Sequence, residues 1–199
     1  MAQARAEWWT DPEVGVGGIA PERLVFIDEC GVLTNMARLH GRSPRGERAH
    51  ASVPCGTWKR VSVLGAIGSA GMIAALSLDA ATDSASFAAY LEQVLLPELQ
   101  TVKPDAVLVL DNLRPHKTAE VQAVLEGSGF AYRYLPPYSP DLSPIEPAWA
   151  KFKSELREVG ARTVDALHAA IGPALGGITA QDAAGFFRHC GYNTGPHKS

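Results

Sequence analysis

The chain has 199 residues, of which 46% are hydrophobic and 20% charged, with a formal net charge of −3. That length and balance suit one globular domain with its own core. Three scattered cysteines (Cys30, Cys55, Cys190) form no CxxC pair, which excludes a disulfide scaffold or zinc ribbon and suits a reducing compartment.

The opening "MAQARAEWWTDPE" has no apolar run and reads as no secretory signal. Residues 1–23 read as a linker remnant or N-terminal extension, too short to fold alone. The first strand is expected at 24–29, "LVFIDE", a β-rich apolar run ending in acids. Next comes a basic window. Between Met36 and Arg60 stand six Lys or Arg (Arg38, Arg42, Arg45, Arg48, Lys59, Arg60) against one acid, Glu47. Its glycines and prolines favour a loop. Such a loop is either a solvated charged segment or a set of phosphate contacts.

Residues 61–78, "VSVLGAIGSAGMIAALSL", reach the length of a membrane span, but "GSAG" at the centre reads as a turn between two strands. A helix is expected over 82–100, with Thr82, Asp83 or Ser84 as N-cap. "AVLVLDN" (106–112) is a continuous apolar run, the mark of a strand buried on both faces. A helix over about 118–126, a fifth strand over 131–136 and terminal helices follow, the last opening on a capping box, "TAQD", at 179–182. The order predicts an α/β domain with a mixed five-stranded sheet flanked by helices. It occupies residues 24–192, with 193–199 as a disordered tail.

Three carboxylates fall at element ends. Asp28 closes the first strand, Asp111 the buried central strand, and Glu146 opens a helix after the proline-rich "LPPYSPDLSPIEP". The carboxyl ends of strands are where open α/β sheets bind ligands. Alternation puts Leu24, Phe26 and Asp28 on one sheet face and Val25, Ile27 and Glu29 on the other, and Asp28 is the preferred partner of Asp111. Glu146 has two readings. Ser143 can cap the helix with Glu146 reaching back in a capping box, or the helix begins nearer Glu146 and leaves its carboxylate free, with Pro147 in the first turn. Ile145, Trp149, Phe152, Leu156 and Val159 mark the core stripe of that helix, with Glu146, Lys153 and Arg157 on a flank. Converging carboxylates suit Mg²⁺, and two such ions can drive displacement at phosphorus. A glycosidase also uses two acids but needs a sugar cleft; the basic loop favours phosphates.

In order, "FIDECG", "GRSPRGER", "LDNLRPHK" and "PPYSPDLSPIEPAWAKFK", with 34 residues between Asp111 and Glu146, resemble the DDE catalytic domain of mariner-type transposases and their bacterial insertion-sequence relatives. The resemblance spans residues 22–192. It implies an RNase H-like fold and Asp28, Asp111 and Glu146 as catalytic residues and ligands of two Mg²⁺ or Mn²⁺ ions. The implied chemistry is cut-and-paste DNA transposition by strand cleavage and 3′-hydroxyl transfer. Asn112 and His116 match positions that support the site or touch DNA. Arg38, Arg42, Arg45, Arg48, Lys117, Lys153 and Arg157 are the DNA-binding candidates. The partners implied are transposon-end and target DNA, further copies in a dimer or larger assembly, and an N-terminal helix-turn-helix part outside this chain. The location implied is the bacterial cytoplasm, on the nucleoid, with no membrane. A non-catalytic remnant and a stand-alone RNase H-like nuclease are the alternatives.

Overall fold

The structure is a computed structural model that describes residues 2–193. Five strands form one sheet: β1 (Leu24–Leu33), β2 (Arg60–Gly68), β3 (Gly71–Leu78), β4 (Val107–Leu110) and β5 (Ala131–Tyr134). The order across it is β3-β2-β1-β4-β5. β1, β2 and β3 pair antiparallel, and β1, β4 and β5 pair parallel. The expected hairpin is β2–β3, turning at Ser69 and Ala70. Among the described residues no helix is long and apolar enough to cross a membrane.

The alternation in β1 is realised. Leu24, Phe26, Cys30 and Val32 pack on one face, with Trp149, Phe152, Leu156 and Phe187. These belong to α5 (Ile145–Val159) and α7 (Ala180–His189), and α6 (Val164–Gly176) covers the same face. Val25 and Ile27 pack on the other face. That face is covered by α2 (Ser84–Tyr90), α3 (Leu96–Val102) and α4 (Ala119–Gly127). α2 and α3 form one run joined by a π-helical turn at Leu91–Leu95. Such a turn reseats the hydrogen-bond ladder just before Pro97, which has no N–H to give.

Local signals account for the helix ends. Asp83 caps α2 by accepting from Ser86 N at 2.8 Å. Thr179 and Asp182 make the reciprocal capping box of α7. α5 ends on Gly160 at φ 65°, where a left-handed residue closes the last turn. Val159, expected in the core stripe, is 60% exposed, because the helix stops there and no element covers its last residue.

The N-terminal segment departs from the linker expectation. α1 (Ala2–Thr10) lies against the domain, with Trp8 only 1% exposed. Trp8 Nε1–H donates to Tyr192 Oη at 3.0 Å, and that hydroxyl donates to the Leu142 carbonyl at 2.7 Å. Arg5 grips Asp141 through both carboxylate oxygens at 2.9 and 2.5 Å, and Arg133 donates to the carbonyls of Gly15 and Pro12. A segment too short to fold alone is folded here by contacts made across the chain. The expected tail at 193–199 lies, after Asn193, outside the described residues.

Removing the indole should therefore behave as a core mutation. Trp8→Ala is expected to cost about 3–5 kcal/mol, read as a drop in urea midpoint. A linker residue would leave the midpoint unchanged.

Candidate active site

Strand register places the first two acids. In the parallel β1–β4 pair Ile27 sits opposite Leu110, so Asp28 and Asp111 are the next residues out on neighbouring strands. Adjacent strands lie about 4.8 Å apart. β4 stops at Leu110 while β1 runs on to Leu33 against β2, which leaves that end of the sheet open beside both acids.

Glu146 arrives from the other direction. Pro140, Pro144 and Pro147 restrict the route, and α5 begins at Ile145 with Pro144 as its flanking residue and no side-chain cap. The Ser143 capping box does not form. Ser143 contributes its backbone carbonyl, which accepts from Glu146 N at 3.1 Å, and the Glu146 side chain is exposed. Asp28, Asp111 and Glu146 all line one cavity of about 350 Å³, together with Asn112, Leu113 and the loop 135–140.

Two supports hold the aspartates. Trp149 on α5 donates its Nε1–H to Asp28 Oδ2 at 3.1 Å. The indole comes so close because Gly65, the residue paired with Asp28 on β2, has no side chain: a Cβ there would stand 2.6 Å from Trp149 Cη2. Asp111 Oδ1 bonds His116 Nδ1 and also accepts from Leu113 N at 3.1 Å. His116 Nε2 in turn bonds Glu29 Oε2 at 3.0 Å. His116 is 1% exposed and stacks on Phe87 with ring centroids 4.2 Å apart.

The electrostatics follow from this crowding. Asp28 is pushed up to about 7, first by burial and then by the nearby charges of Glu29 and Glu146. Burial opposes a charge on His116, but its hydrogen bonds to Asp111 and Glu29 outweigh that and raise it to about 9. A carboxylate oxygen against each ring nitrogen favours the protonated ring.

Glu29 is the residue that strand alternation set aside. It faces away from Asp28, yet it reaches Asp111 through His116. The signal present in the sequence was an acid on the second face of β1 and a histidine five residues after Asp111. Asn112 lines the cavity and accepts a hydrogen bond from Lys117, whose ammonium also sits 4.7 Å from the Tyr134 ring centroid. Lys153 and Arg157 follow Glu146 on α5, both half-buried. Arg38, Arg42, Arg45 and Arg48 are exposed on the irregular segment 34–59, outside the cavity lining.

Among the described residues no group of three or more His, Cys, Asp or Glu side chains is close enough to hold a metal ion as placed. The donor chemistry nevertheless fits a hard divalent cation. The three acids offer only oxygen ligands, and Asp28, raised first by burial and then by the charges of Glu29 and Glu146, sits where a cation would relieve the repulsion among them.

The family model described as DDE superfamily endonuclease matches residues 23–168. The chain belongs to that family. Its fold is shared with the Mos1 transposase paired-end complex with left transposon end, at TM-score 0.69 and 20% identity over 85% of this chain and 52% of that one. The catalytic domain of Mos1 mariner transposase superposes at TM-score 0.60 and 17% identity, over 85% of this chain and 77% of that one. A Mos1 catalytic domain with raltegravir and Mn gives 0.61 and 16%, over 85% and 78%. The chain thus spans about half the length of the Mos1 chain in the paired-end complex. No curated protein matches the sequence. The fold is the RNase H-like one expected, and the molecule is a DDE endonuclease domain.

The raised Asp28 has a measurable sign. A folded-state value above the unfolded one means the native protein binds the extra proton, so stability falls as pH rises between about 4 and about 7. In EDTA, urea midpoints should decline across that window, and Asp28→Asn should remove most of the decline. A slope that survives the substitution would assign it to other groups.

Proposed function

We propose that this chain is the catalytic domain of a DNA transposase, with Asp28, Asp111 and Glu146 as ligands of two Mg²⁺ or Mn²⁺ ions. The reading is carried by one observation: acids from β1, from the end of β4 and from the start of α5 line one cavity. The family match supports it, as does the presence of Mn or Mg with the Mos1 catalytic domain in related structures. Held by Asp28, Asp111 and Glu146, such ions would supply Lewis acidity for activating a water or a 3′-hydroxyl and for stabilising charge that develops at phosphorus.

The chain's own residues do the positioning. Trp149 holds Asp28 Oδ2 and leaves Oδ1 outside that bond. His116, itself fixed by Glu29, holds Asp111 Oδ1 and leaves Oδ2 outside it. Each aspartate thus has one oxygen pinned and one available, which lowers the entropy lost on capturing a cation. Glu146 closes the set from a helix start, and Asn112 supports it from the cavity wall. Arg38, Arg42, Arg45, Arg48, Lys117, Lys153 and Arg157 contact DNA phosphates, where charge gives affinity without sequence readout. The partners are transposon-end and target DNA, and the working state is a dimer or larger assembly in the bacterial cytoplasm.

The main test is plasmid nicking and strand transfer in Mg²⁺ or Mn²⁺. Asp111→Asn should lower the rate about a thousandfold or more, the several kcal/mol that metal-centred stabilisation supplies. An unchanged rate would sink the assignment, and cleavage without joined products would identify a nuclease instead. The Glu29–His116 support has its own readout. Glu29→Ala should weaken Mn²⁺ binding, followed by electron paramagnetic resonance, by about 10- to 100-fold. Glu29→Gln, which can still accept from Nε2, should keep most of the affinity.

A further inference from the structure

Tyr138 has no part in the chemistry above, yet its placement is unusual. The side chain is 91% exposed, and at φ 55° it is the one non-glycine residue with positive φ among those described. Bulky residues avoid that region, and such strain persists only where the surrounding chain enforces it. Here the enforcement is visible. Pro136, Pro137 and Pro140 flank the turn with fixed φ. The Ser139 hydroxyl donates to the Pro137 carbonyl at 3.3 Å and accepts from Arg5 Nη1 at 2.9 Å. Ser139 itself is buried.

The turn thus carries an aromatic ring on a stiff support at the cavity that holds the three acids. Leu113, 53% exposed, lines the same cavity with Pro136, Pro137 and Pro140. Packing explains none of this, since a ring in water buries nothing. The lining combines carboxylates with an aromatic and apolar set, and a nucleotide presents the matching pair: a phosphate for a cation held by the acids, and a flat base with an apolar face.

We propose that Tyr138, with Leu113 and the flanking prolines, forms a nucleobase subsite that stacks the base beside the scissile phosphate. The proposal rests on the reading of Asp28, Asp111 and Glu146 as a phosphoryl-transfer site, and it adds what holds the substrate there. Stacking of this kind tolerates any base, because every base has a π-face. It also requires the base to leave its own stack, so the subsite favours frayed or distorted DNA over intact duplex.

The test uses the full chain with Mn²⁺ and a duplex bearing a short single-stranded 3′ end, either intact or with one abasic position moved along the end. The intact DNA should bind more tightly than the abasic DNA at one position, by between about fivefold and about a hundredfold. Tyr138→Phe should keep that ratio. Tyr138→Gly should abolish it and weaken intact DNA by a similar factor, while its melting temperature stays level or rises because glycine accepts positive φ. A 2-aminopurine at the sensitive position should lose fluorescence on binding wild type and not on binding Tyr138→Gly. Equal binding of intact and abasic DNA by wild type, or a ratio that survives Tyr138→Gly, overturns the subsite and leaves the catalytic reading standing. No binding of any DNA overturns both.

Discussion

The site depends on a matter of register. Because Ile27 pairs with Leu110, Asp28, still within β1, comes beside Asp111, the first residue past the end of β4. Slipping β1 by one residue would swap Asp28 for Glu29 and turn the apolar residues of β1 to the wrong faces. The hydrophobic pattern and the site are therefore specified by the same constraint. Leu24 and Phe26 must face Trp149 and Phe187, Val25 and Ile27 must face the helices of the other layer, and the acids follow.

Placing like charges together has a cost, and the surroundings answer it differently for each aspartate. Asp28 lies under α5 with the Trp149 indole N–H on Oδ2, and its acidity is suppressed by burial. Asp111 instead has a buried imidazolium, shared with Glu29. A cation sealed in a core is costly unless paired and hydrogen-bonded. His116 is both, with a carboxylate on each nitrogen. Consecutive residues of one strand thus reach the same cavity from opposite faces of the sheet: Asp28 lines it, and Glu29 is linked through His116 to Asp111.

Much of this was legible in the sequence. The strands and the hairpin were marked by the glycine-containing turn and the short apolar runs, and face assignment by simple alternation in β1, while the order of strands across the sheet was not. For Glu146 the sequence left two readings open, and the start of α5 at Ile145 without a side-chain cap matches the one in which Pro147 sits in the first turn. What was hidden depended on partners distant in the chain. Glu29 and His116 are 87 residues apart, and nothing local marks their contact. α1 reads as loose because "AQARAEWWT" has no apolar stripe; a single indole, accepted into the core beside Tyr192, decides its fate. The π-helical turn before Pro97 likewise reflects a compromise within a packed helix, where local preference alone would have ended it.

The bridge from Trp8 through Tyr192 to the Leu142 carbonyl bears on how the molecule comes apart. In most domains the termini are the first places to open, and their opening leaves the centre untouched. Here residues near both ends of the described chain share one hydrogen-bonded path, and it ends on the loop that walls the cavity. Arg5 adds a second tie to that loop through Ser139 and Asp141. Fraying at either end of the described chain should therefore loosen the wall beside Glu146, so that hydrogen-exchange protection at the ends and in that wall should rise and fall together.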